Sequence, residues 1–195
     1  MKSAIGQGKE GWPTEMTISV EIGPLCELLY VRSTRALCTS LQFPELNPPP
    51  GRRVDLRTVE ARDLSRRWDR EWDQALSDLI EDENADHQGV ISRKRITATL
   101  SAERKPPAGW EAADDRVFRQ WLRGIDRAKS QPMGQPPEWL VPDDVAEAWQ
   151  VGYRKCVVLP FEGSFGQRVG EHILLVSPMV RDTPREYSVV LRALF

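Results

Sequence analysis

Four arginines, Arg116, Arg119, Arg123 and Arg127, recur at spacings of three, four and four. On a helix turning 100° per residue they fall within about 80° of arc, with Val117, Phe118, Trp121, Leu122, Ile125 and Ala128 on the other side. Such a ridge is suited to phosphates, because guanidinium presents a fork of donors and each neutralised phosphate releases counterions. Arg93 and Arg95, on one face of an expected strand with Lys94 on the other, would extend the patch. The plainer account is a solvated helix face and a charged edge strand, since Asp115 can pair with Arg119 and Asp126 with Arg123. Nucleic-acid or phospholigand binding through these six arginines is therefore the first alternative.

A second alternative is a small hydrolase. Ser164, in Gly163-Ser164-Phe165-Gly166, would be the nucleophile, with His172 as base and Glu162 or Glu171 orienting it. The loop is not the G-x-S-x-G nucleophile elbow, and His172 among apolar neighbours reads first as a structural histidine. Cys156 with His172 as a thiol dyad has less support still. Asp82-x-Asn84-x-Asp86 matches the first three ligand positions of a calcium loop, but His87 stands at the turn glycine and Arg93 at the bidentate glutamate. With two histidines and three scattered cysteines, neither a metal nor a cofactor is expected.

Seven tryptophans remain to be placed. Trp68, Trp72, Trp121 and Trp149 lie on apolar helical faces and are assigned to core. Trp12, Trp110 and Trp139 lie in loops beside proline or glycine and could anchor a protein partner, with Trp110 and Trp139 the chosen candidates. The leading functional expectation is a non-catalytic, cytoplasmic interaction or regulatory module, because no coherent catalytic set emerges.

The elements that would position these groups follow from periodicity and punctuation. Leu64, Trp68, Trp72, Leu76 and Leu79 mark a helix over about 55–82, whose arginines come early and carboxylates late, opposite to the preference of the helix dipole. That acidic end is expected to be neutralised by Arg93-Lys94-Arg95. A second helix spans about 114–129, and a third, short one starts at Pro142 and stops near Gly152. Strands are expected at 17–21 and 25–31, at 90–100, and in a C-terminal meander of 155–161, 169–177 and 187–194. The expected fold is α+β: an antiparallel sheet made of that meander and the N-terminal strands, with two or three amphipathic helices on one face.

The 195 residues carry 27 basic and 29 acidic side chains, 21 of the basic ones arginine, for a formal charge of −2. Any affinity for phosphate must then be local. Residues 1–16 are expected to be a flexible leader and 17–195 a single domain, with proline-rich connectors at 43–51 and 131–137. No apolar run approaches the roughly 20 residues of a membrane span, and no secretory signal opens the chain, so a cytoplasmic location and no membrane partner are expected. The three cysteines lack a C-x-x-C pair and are expected to be reduced.

Overall fold

The structure, a computed structural model, describes residues 17–20, 23–51, 58–87, 115–129 and 136–195. They group into two compact units: one contains Phe43–Pro49 and Gly124–Phe195 with the strand at Thr17–Val20, the other Gly23–Gln42 and Pro50–Arg123. The protein is mixed α+β.

In the first unit, β1 (Thr17–Val20), β2 (Lys155–Val158), β3 (Gly166–Val169) and β4 (Ile173–Val176) form one sheet in the order β1-β2-β4-β3. β1 and β4 both run parallel to β2, and only β3 is antiparallel. The sheet is thus mixed, correcting the expected antiparallel meander. Burial explains the parallel core: Cys156 to Leu159 and Ile173 to Val176 are buried at every position, the continuous apolar pattern of strands covered on both faces. The segment 169–177 is not one strand but the end of β3, a turn and β4, because Gly170 takes a left-handed φ of 59° between Val169 and its partner Ile173.

One face of this sheet is covered by α4 (Pro142–Gln150), α5 (Pro178–Asp182) and α6 (Pro184–Leu194). Their core contains Val145, Ala148, Val180, Tyr187 and Leu191 against Cys156, Val158, Leu174 and Val176. The expected strand at 187–194 is therefore helix. Pro184 supplies the preset φ of a first helical position, and Tyr187 and Leu191, four apart, are the buried pair. Part of the proline-rich connector docks here too: Phe43 stacks on Phe161 at 5.5 Å, and the Asn47 N–H donates to the Pro160 carbonyl at 2.8 Å.

The second unit is built on α1 (Pro24–Thr34) and α2 (Thr58–His87). The strand expected at 25–31 is instead α1, so the N-terminal pair of strands does not form. Leu25, Cys26, Leu28, Leu29, Tyr30 and Val31 are all buried, with Glu27 alone exposed among them, which leaves this helix too narrow a polar face to reveal its period. Trp68 and Trp72 stack at 5.1 Å, fully buried, and Trp68 Nε1–H donates to the Leu28 carbonyl at 2.6 Å. Tyr30 meets Phe118 and Trp121 at 5.0 and 5.3 Å, so the start of α3 (Asp115–Lys129) belongs to this unit while 124–129 belong to the other. No helix among the described residues is long and apolar enough to cross a membrane.

Candidate interaction site

Prolines frame a single turn of 3-10 helix, Pro137–Leu140: Pro136 precedes it and Pro142 opens α4 just after it. With φ preset at these positions the segment has little freedom to rearrange. Trp139 N–H closes the turn on the Pro136 carbonyl at 2.9 Å. Its residues divide sharply, since Glu138 is fully buried whereas Trp139 and Leu140 are 44% and 50% exposed.

A buried carboxylate needs a partner, and Arg181 from α5 supplies it in a fork: Nε donates to Oε1 at 2.8 Å and Nη2 to Oε2 at 3.1 Å. Burial favours loss of the Arg181 proton, but the charge and hydrogen bonds of Glu138 outweigh it, so the guanidinium is held more firmly charged than usual. Arg181 is itself positioned by a cap. Ser177, at the N-terminus of α5, accepts from Val180 N–H at 3.3 Å and from Phe165 N–H at 3.2 Å, and donates to the Gly163 carbonyl at 2.7 Å. A continuous path of hydrogen bonds therefore runs from the 163–165 loop through Ser177, α5 and Arg181 to the turn that presents Trp139.

The same ion pair acts electrostatically on Cys156. Burial pushes this thiol up to about 11, assisted by the Glu138 charge and partly offset by Arg181 and by hydrogen bonding with Tyr153 and Tyr187. Those tyrosines share a hydrogen bond of 2.8 Å between their hydroxyls, and burial holds both well above the ordinary phenol range. The thiol is thus neutral and enclosed at physiological pH, a core group rather than a nucleophile.

Of the residues singled out for chemistry, Arg116, Arg119 and Arg123 are exposed on α3, as a ridge requires. The Arg127 side chain, Arg93, Arg95 and Trp110 lie outside the described residues. Trp139 stands exposed on its turn, where it was expected as an anchor. Ser164 and His172 are not brought together. Ser164 precedes Gly166, which pairs with Val176, while His172 adjoins Ile173, which pairs with Val169, so at least about 10 Å of ladder separates them. His172 Nδ1 is engaged with the Gly152 carbonyl at 2.7 Å, and because a carbonyl only accepts, this nitrogen carries the proton. Cys156 lies against Tyr153 and Tyr187 rather than His172. Asp82, Asn84 and Asp86 continue α2, so the calcium-loop pattern falls on a helix and not in a loop. No group of three or more potential metal ligands occurs among the described residues.

Glu138, Arg181 and the tyrosine pair were not foreseen. The one signal in the sequence is a lone acid amid Pro136, Pro137, Trp139, Leu140 and Val141. Compared with known protein families, with curated proteins and with solved structures, the chain matches none.

Proposed function

We propose that the protein is a non-catalytic interaction module that docks a partner protein on the Trp139–Leu140 turn. The observation that carries this reading is the split of that turn, with two large apolar side chains outward and a fully buried, fork-bound Glu138 between backbone prolines inward. An exposed tryptophan on a segment already immobilised loses little entropy on binding, which is why such residues dominate interface energetics. Of the groups weighed for chemistry among the described residues, Cys156 is enclosed, and His172 is tied to Gly152 and stands apart from Ser164 along the β3–β4 ladder.

The test compares wild type with Trp139→Ala plus Leu140→Ala in capture from native lysate, at low and high salt, with folding monitored by circular dichroism. Truncating an anchor of this kind costs ~2 kcal/mol or more, about 30-fold in affinity, so a stoichiometric partner retained by wild type is expected to be lost from the equally folded variant. An identical set of captured proteins, or a chain that neither captures a protein nor associates with itself, refutes the reading. A second reading, nucleic-acid or phosphate binding, is favoured by the exposure of Arg116, Arg119 and Arg123 on one helix. It predicts nucleic acid in the low-salt eluate that disappears with Arg119→Glu plus Arg123→Glu.

A further inference from the structure

We propose that the partner of this site is a second copy of the chain, whose α3 arginine ridge lies along α4. The proposal rests on the reading of the Trp139–Leu140 turn as a docking surface and names its occupant. Beyond the turn, α4 leaves Asp143, Glu147 and Gln150 exposed at spacings of four and three. Leu140 before them and Val151 after them are 50% and 53% exposed, so the stripe is apolar at both ends and anionic between. Asp144, on the buried side, is taken up by Arg192 at 2.6 Å. The field of Arg192 also reaches Glu147, so this one cation serves two carboxylates, and with Asp143 exposed on the same helix the stripe stays negative. Asp143 makes no ion pair among the described residues.

The complementary surface is on the same chain. α3 exposes Arg116, Arg119, Gln120 and Arg123, with Val117 39% exposed beside them. Residues four apart on a helix stand about 6 Å apart. Arg119 and Arg123 therefore match Asp143 and Glu147 one to one, with the helices in either direction. Val117, Leu140 and Val151 supply apolar area, which surface ion pairs need because alone they contribute little. A net charge of only −2, composed of separated patches of each sign, leaves little overall repulsion between copies. Two helices in contact make a small interface, so association in the micromolar range with strong salt dependence is expected.

Sedimentation equilibrium of the full chain from about 1 to 300 μM, at about 20 and 500 mM salt, tests this. Mass is expected to rise above 22.2 kDa with concentration at low salt and to return to it at high salt. Arg119→Glu plus Arg123→Glu, or Asp143→Lys plus Glu147→Lys, should each weaken association at least ~10-fold, and mixing the two reversed variants should restore it. A chain monomeric throughout, association indifferent to both reversals, or failure of the mixture overturns the proposal. A monomeric chain that still loses a lysate partner on Trp139→Ala plus Leu140→Ala overturns self-recognition while leaving the docking turn in place.

Discussion

Removing Arg181 while keeping Glu138 isolates the element that holds the docking turn. In Arg181→Met the aliphatic stem is kept, but both Glu138 oxygens lose their donors at 2.8 and 3.1 Å, in a side chain with no solvent exposure. Breaking a buried pair from one side strands an uncompensated charge at a cost of about 3–5 kcal/mol. Replacing both partners, in Glu138→Leu plus Arg181→Met, removes that charge and is expected to recover much of the loss. Two built-in probes read the result unit by unit. Cys156 and Cys26 are both fully buried, one in each compact unit, while Cys38 is exposed and reports reagent access. Thiol labelling across a urea series, resolved by peptide mass, should move the Cys156 midpoint well down in Arg181→Met and leave that of Cys26 in place. A shift of the Cys156 transition below about 1 kcal/mol, or a double variant no better than the single, would refute the claim that this pair holds the turn.

Three further outcomes follow from the same structure. A Cβ at Gly166 would lie 2.7 Å from Val190 Cγ1, so Gly166→Ala should cost ~1–3 kcal/mol by Cys156 labelling and be relieved by Val190→Ala; no cost would contradict the packing of α6 on β3. Trp68→Phe removes the indole donor to the Leu28 carbonyl and should cost ~1 kcal/mol or more, against ~3–5 for Trp68→Ala, both read at Cys26, and no cost in the Phe variant would show that the hydrogen bond adds nothing. Burial raises the Asp144 carboxyl, but hydrogen bonds from Ser188 and Arg192 and the Arg192 charge outweigh it, so it titrates below its ordinary range. With the folded value lower than the unfolded one of about 3.9, its stabilisation is present above about pH 4 and lost as pH falls through the folded value. Arg192→Gln should therefore flatten the acid limb of the stability profile, and an unchanged limb would remove Asp144 from that account.

Periodicity found the helices that have two unlike faces. α2 was readable from Leu64 to Leu79, and α3 from its arginines set against Trp121 and Ile125, because each buries one stripe and wets another. α1 escaped because it is buried nearly all round, and an apolar run without period resembles a buried strand. α6 escaped because Val189 and Val190 raise strand propensity locally, while the spacing of Tyr187 and Leu191 that makes it helical matters only once a sheet lies beneath. The parallel pairing of β1 with β2 joins Thr17 to Lys155, more than a hundred positions apart, which no local pattern encodes.

Trp139 could be picked out because an aromatic beside prolines is locally conspicuous. Its rigidity could not, since it depends on the pairing of Glu138 with Arg181, 43 residues apart in the chain. A glutamate in a proline-framed apolar turn reads as solvent-facing until something of opposite charge is known to be buried beside it, and Arg181 reads as an ordinary surface arginine for the same reason. Each residue is explicable only through the other, so neither could be found alone. A buried ion pair contributes little net stability compared with an apolar pair of the same volume, whereas misplacing the turn would leave both charges unmet. Glu138–Arg181 is therefore better understood as specifying where Trp139 stands than as strengthening the fold, and the double replacement separates the two. If it restores stability while partner capture through Trp139 is lost, the pair serves position.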